Sequence, residues 1–344
     1  MQHEITRPIP LLDENGMLTE PGFAKRPNFR YNPENIRLTP LAAVNRLRLK
    51  EWDYYGVTGP DWFFSVAVSH GGLAGVAFAY FIDFKTLAMP EATVITPLGM
   101  GVTLPRDSRT GDIVFRWGRV NIEFKRLANE RRLRVDWPRL SDGRPLVADL
   151  VLAQPESIES IVMATPIGAR GFYHNEKINC MPAMGEIRLG DTRLVVEPDR
   201  ALGDLDWGRG VWDYHTFWNW GTASGFLSDG GLIGLNLGKG FGDLSAATEN
   251  CFFLDGKMHK LGWVDFEYDA GDYMKPWRFR ADDGRLDLTL TPIFDRHDKT
   301  DLLVIRTEVH QMFGRYSGTL VTDEGKKLEI RDLLGWAEEH RARW

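Results

Sequence analysis

The sequence predicts a predominantly antiparallel β protein made of two successive β units, and three observations carry that expectation. Apolar and polar residues alternate with a period of two in many short segments, the pattern of half-buried strands. Asp-Gly pairs stand at 142–143, 229–230, 255–256 and 283–284, where they supply the positive φ angles of tight hairpin turns. Helical periodicity is scarce, and no βα alternation points to a doubly wound sheet. A chain of 344 residues exceeds what one hydrophobic core usually serves. Two β runs of roughly 150 residues each fit two similar barrels.

Residues 1–45 carry Pro8, Pro10, Pro21, Pro27, Pro33 and Pro40, a composition that favours an extended arm lying on the first barrel. The first unit spans 46–205. In it Leu47 and Leu49 alternate with Arg46, Arg48 and Lys50, and the run Trp52-Asp53-Tyr54-Tyr55 follows. From Trp62 to Ile82 there are 21 residues without Lys, Arg, Asp or Glu, long enough to cross a bilayer. Asp61 and Asp83 flank the run where basic anchors belong, and Ser69-His70-Gly71-Gly72 interrupts it. Two buried strands are therefore expected, with no stable membrane insertion. Val120, Ile122 and Phe124 alternate with Asn121, Glu123 and Lys125, the mark of a strand with one apolar face. Glu186 to Val195 reads as a hairpin about Gly190-Asp191. The second unit spans 206–344. Hairpins are expected there about Asp255-Gly256 and Asp283-Gly284, and Leu333, Leu334, Trp336 and Ala337 predict a short C-terminal helix over 331–340.

Composition narrows the function. Hydrophobic residues make up 43% and charged residues 26% of the chain, as in folded globular proteins. The formal net charge is −6 and no basic stripe occurs, so nucleic acid is not an expected partner. Cys180 and Cys251 are too few and too far apart for a disulfide framework, which fits a reducing compartment, the cytoplasm. The start, MQHEITRPIPLLDENG, lacks the pattern of a secretory signal. The glycine-rich residues 234–242 are followed only by DLSAATEN, so they read as a flexible turn rather than a phosphate loop. No phosphate-binding lysine loop, nucleophile elbow or paired-histidine helix is present, and the eight histidines are dispersed. Neither a cofactor nor a metal is expected.

The most unusual stretch is 206–225. It sets Trp207, Trp212, Tyr214, Phe217, Trp218 and Trp220 around Asp206, Arg209, Asp213, His215 and Asn219. Strand alternation would aim Tyr214, Thr216, Trp218 and Trp220 to one side and His215, Phe217 and Asn219 to the other. Such a wall of rings suits flat apolar ligands and a carbocation formed by protonating a double bond. Asp206, Arg209, Asp213 and His215 are the candidate catalytic residues, because a buried carboxyl or imidazole beside the rings has its pKa moved toward the working range. Trp212, Tyr214, Trp218, Asn219, Trp220, Glu249 and Asn250 are the candidate ligand contacts. The bland alternative makes His215 a hydrogen-bonded core residue and Asp206 with Arg209 a turn-locking pair.

Several ordered motifs resemble one family. EWDYYGV at 51–57, DWGRG at 206–210, TFWNW at 216–220, ATENCFFLDGKMHKL at 247–261, Pro292 to Arg296, HQMFGRYSGTL at 310–320 and the closing LLGWAEEHRARW are together similar to the domain of unknown function 2804 (DUF2804) family of bacteria. That family is distantly similar to the carotenoid 1,2-hydratase and hydroxyneurosporene synthase group, which includes AttH-like proteins and fungal pericyclases. The resemblance implies two tandem lipocalin-like, calycin-type barrels side by side, with ligands in or between them. In the hydratase group a Trp-x-Asp-His-Glu-Trp segment lies near the join. Trp212 to Trp218 is a loose counterpart, with Thr216 where the acidic residue would stand.

Two functions follow as expectations. One is a cofactor-independent enzyme that hydrates, isomerises or cyclises an apolar isoprenoid- or polyketide-like molecule. The other is a non-catalytic carrier that shields such a hydrophobic small molecule in a barrel.

Overall fold

Turn chemistry sets the strand ends as expected. Leu189 and Thr192 flank Gly190-Asp191, Leu254 and Lys257 flank Asp255-Gly256, and Ala281 and Leu286 flank the Asp283-Gly284 turn. The computed structural model describes residues 2–302 and 305–343. More than half of them are strand, almost all of it in two curled antiparallel sheets that form near-barrels.

In the first sheet the neighbours run Glu91–Pro97, Ala74–Asp83, Trp62–His70, Lys50–Thr58, Leu202–Val211, Gly171–Leu189, Leu146–Ala153, Glu130–Trp137, Val120–Arg126 and Ile113–Trp117. The second runs Lys257–Lys260, Cys251–Leu254, Leu232–Lys239, His215–Phe226, Lys327–Arg343, Ile305–Val321, Leu286–Leu302, Trp277–Ala281 and Val264–Glu267. Residues 206–211, expected at the start of the second unit, pair with Lys50–Thr58 and Gly171–Leu189 in the first sheet, and the chain joins the second sheet at His215.

The uncharged run 62–82 is a hairpin of two strands, Trp62–His70 mostly buried and Ala74–Asp83 mixing buried with half-buried residues. Its turn needs glycine: Gly72 has φ 75°, and a Cβ there would collide with the Leu47 carbonyl oxygen. No helix among the described residues is long and apolar enough to cross a membrane. Val120–Arg126 alternates buried and half-buried residues throughout. The N-terminal arm lays Ile5, Ile9, Leu11, Leu12, Phe29 and Tyr31 into the core of the first barrel. The gain from burying that apolar surface holds an arm that has little ladder of its own.

Two local expectations are corrected. The strand signals at 46–49 are instead the end of a short helix, Ala42–Leu47, with the strand beginning at Lys50. Ala, Leu and Arg favour helix, and Asn45 secures the turn by accepting from the Thr39 amide at 2.9 Å and donating to the Ile36 carbonyl at 3.0 Å. The expected C-terminal helix is the strand Lys327–Arg343, central in the second sheet between His215–Phe226 and Ile305–Val321. Residues 333–339 are all buried because both faces of the strand are covered, by the second core on one side and the first barrel on the other. A strand buried on both faces loses its alternation and imitates a helical face.

Candidate functional site at the join of the barrels

The strand Leu202–Val211 sends its side chains two ways. Leu205, Trp207 and Val211 enter the core of the first barrel. Arg209 follows them: it pairs with Asp53 at 2.9 Å, donates to the carbonyl oxygens of Trp52, Gly208 and Pro105, and lies over the Trp207 ring at 4.3 Å. Asp206 faces the other way, toward the join, where it pairs with Lys177 at 2.7 Å. Asp206 and Arg209 therefore form no pair with each other, as alternation along a strand dictates.

The second sheet meets this face with its own rings. In His215–Phe226, Trp218 and Trp220 point to the join while Asn219 turns into the second barrel, donating to Tyr268 Oη at 3.2 Å and to the Glu338 carbonyl at 3.1 Å. The Trp220 ring meets Tyr54 and Trp336 edge-on, and Lys177 Nζ sits 4.2 Å from its centroid. Trp220 Nε1 donates to Asn236 Oδ1 at 2.9 Å, and Asn236 with Asn175 of the first sheet holds Glu249 at 3.2 Å each. Asn250 binds the Gly238 amide at 2.7 Å and the Gly262 carbonyl at 3.1 Å, so it fastens a loop.

Glu338 is the centre of this arrangement. Its Oε1 accepts from Trp218 Nε1 at 3.0 Å and its Oε2 from Gln311 Nε2 at 3.3 Å. Tyr80 in turn donates to Gln311 at 3.0 Å and shares a 3.1 Å bond with Tyr54, so the network links both barrels. Burial raises the Glu338 carboxyl to about 7, against the lowering influence of Trp218 and Lys177. The acid therefore exchanges its proton near neutrality. His340, whose ring lies 4.0 Å from that of Trp218, is pushed down to about 3 by burial and is neutral.

The remaining expected residues occupy the rim. Asp213, Tyr214 and His215 are exposed, and Asp213, His215, Thr216, Phe217 and Phe241 border a cleft of about 180 Å³. Phe241, in the wall of this cleft, packs edge-on against Trp212, Tyr173 and Trp218 at 5.0–5.4 Å. Trp212 is buried against Trp52 and Tyr173. A larger hollow of about 550 Å³ lies by the N-terminal arm, among Gln2, His3, Glu4, Phe23 and Lys260. There Lys260 commits its three protons to Thr248 Oγ1 and the carbonyls of Asn250 and Leu261, so it acts as a strut. Burial lowers that amine to about 8, while the acid raised to about 7 belongs to the join.

Sequence reasoning missed Glu338, Lys177, Gln311 and Tyr80. The available signal was Trp336-Ala337-Glu338-Glu339-His340, which as a strand sets Glu338 on the Trp336 face.

Residues 2–344 match the family model of a domain of unknown function, DUF2804, and the chain belongs to that family. None of the curated protein sequences matches it. Its fold is similar to that of kievitone hydratase from Nectria haematococca, at 8% identity and a TM-score of 0.52, over 90% of this chain and 94% of that one. It is also similar to an AttH-type protein from Nitrosomonas europaea, at 11% identity and a TM-score of 0.45, over 86% and 92% of the two chains.

Proposed function

We propose that this DUF2804 protein is an enzyme that hydrates, isomerises or cyclises an apolar isoprenoid- or polyketide-like molecule by acid–base catalysis at the join of its barrels, with Glu338 as the proton donor. The observation that carries the reading is a buried carboxyl raised to about 7 and bonded to the Trp218 indole beside Trp220 and Tyr54. Glu338 delivers its proton to one carbon of a double bond, leaving a carboxylate and a carbocation. The aromatic faces stabilise that positive charge. Water then adds to the cation and returns a proton to Glu338, or a neighbouring C–H gives up its proton to close the cycle as an isomerisation. Attack by a second double bond followed by the same proton loss gives a ring. Kievitone hydratase shares the fold alone, so the choice among these reactions rests on the site.

In this reading Asp206 and Lys177 set the charge beside the acid, and Trp218, Trp220 and Glu249 border the ligand. Asp213 and His215 border the cleft on the outer side of Phe241, where a ligand is first met. Arg209 is assigned to the core of the first barrel.

The test incubates wild type and Glu338→Gln with extracts of bacterial isoprenoids and polyketides and follows every species by mass spectrometry. Wild type converts an apolar compound into a product that is isomeric or heavier by one water, and Glu338→Gln is slower by about 100-fold or more with a melting temperature no lower than that of wild type. A compound that both proteins bind and return unaltered would make the chain a carrier and end the enzyme reading.

A further inference from the structure

We propose that the mouth of the second barrel is a divalent transition-metal site, in which His297, Glu308 and His310 are the ligands and Asp295 orients His310. This site lies on the inner side of the second sheet and is independent of Glu338. Its residues come from two neighbouring strands, Leu286–Leu302 and Ile305–Val321, whose antiparallel register sets His297 directly opposite His310. One ring nitrogen of each histidine and one carboxylate oxygen of Glu308 lie within 4.8 Å of one another. Two imidazoles and a carboxylate form a donor set that suits zinc and its neighbours in the first transition row, and three protein ligands leave a position for water or a small oxygen-bearing ligand.

The surroundings are those of a metal ligand rather than of a surface histidine. His310 Nδ1 lies 2.8 Å from Asp295 Oδ2, the carboxylate–imidazole pairing that fixes the tautomer of a ligating histidine and leaves Nε2 for the ion. The Tyr273 ring stacks on His310 at 4.1 Å and 15°, and the His297 ring stacks on its other face at 4.1 Å and 6°. His310 is thus held on three sides. A metal ion lies in the plane of the imidazole that binds it, so the two parallel rings cannot share one ion as stacked; His297, the more exposed of the two, turns out of the stack to bring its nitrogen to the ion. Glu308 is tied to Lys299 at 3.0 Å, to Arg306 at 3.5 Å and to His297 at 3.5 Å, so it is held as the carboxylate a ligand must be. Side-chain exposure rises from 19% at His310 to 43% at His297, which gives an ion a path from solvent.

The experiment titrates the tag-free full-length chain, stripped with a chelator and then freed of it, with Co²⁺ alone and then with Zn²⁺. The cobalt absorption bands report ligand number and type, and calorimetry reports stoichiometry. Wild type takes up one ion per chain, and zinc displaces the cobalt signal. His297→Ala and His310→Ala abolish the signal while far-ultraviolet circular dichroism is retained. Asp295→Asn weakens binding 10- to 100-fold, and Lys299→Met strengthens it by releasing Glu308. A wild-type chain that binds no stoichiometric ion, or an ion that survives both histidine substitutions with its affinity intact, overturns the proposal.

Discussion

The inside of the first barrel and the join between the barrels both bury carboxylates, with opposite results. Inside the barrel Asp53 holds two guanidiniums, Arg126 and Arg209, and all three groups are withdrawn from solvent. Arg131 is likewise spent on Gln154 at 2.6 Å, Tyr55 at 3.0 Å and the Ser108 carbonyl at 2.7 Å. For Glu176 burial acts to raise the carboxyl, yet Arg109 and the bonds from Ser108 and Ser160 outweigh it and leave the pKa lowered. At the join no arginine among the described residues pairs with Glu338 or Asp204. Both carboxyls rise to about 7, in each case through burial. Asp204 is held by neutral groups, the Ser224 hydroxyl, the Asn179 amide and the Cys180 backbone. The number of cations per buried carboxylate separates a strut from an acid that titrates at neutral pH.

The largest effect should come from breaking the strut. Asp53→Ala leaves Arg126 and Arg209 buried and facing each other, and should destabilise the fold by about 3–5 kcal/mol in a urea titration. Asp206→Ala at the join should cost distinctly less, since Lys177 keeps its place over the Trp220 ring. Equal losses at the two positions would erase the contrast.

Stability should also respond to pH through the join. Asp204 and Glu338 move from ordinary values of 3.8 and 4.5 up to about 7 in the folded protein, so the folded state binds more protons than the unfolded chain between those limits. Their contribution is fully present below about pH 4 and is lost as the pH rises through about 7, with each tenfold gain in proton affinity on folding contributing at most roughly 1.4 kcal/mol. Melting temperatures recorded from pH 4 to 8 should fall over that window, and Asp204→Asn should flatten the fall. A profile that Asp204→Asn leaves unchanged would remove Asp204 from the linkage.

The smallest effect is expected at the rim. His215 is exposed at the start of its strand, and His215→Ala should leave the stability within about 0.5 kcal/mol of wild type and alter substrate capture rather than the chemical step. A loss of kcat as deep as that of Glu338→Gln, read in the same assay, would move the acid from the join to the rim.

Much of this was legible in the residues. The Asp-Gly turns located the hairpins, and alternation from Tyr214 onward separated Trp218 and Trp220 from Asn219 as the structure does. What stayed hidden depends on two faces being covered at once. Glu338 lies in a strand packed on both sides, so its apolar neighbours lost the period that would have marked them, and the segment read as a helix. Lys177 and Tyr80 come from other strands, and only the register brings them to Trp220 and Gln311. The same holds for His297 and His310, which are dispersed along the chain and adjacent across the sheet. Asp206 and Arg209, close in sequence, are parted by the pleat.

The most direct test is the titration of the Glu338 carboxyl itself. Chain labelled with ¹³C at glutamate side-chain carboxyls, with Glu338→Gln to assign the resonance, should show one glutamate titrating with a midpoint near pH 7. A Glu338 midpoint in the ordinary range near 4.5 would mean that the join holds an ionised carboxylate with no proton to give, and would contradict the role of Glu338 as the acid.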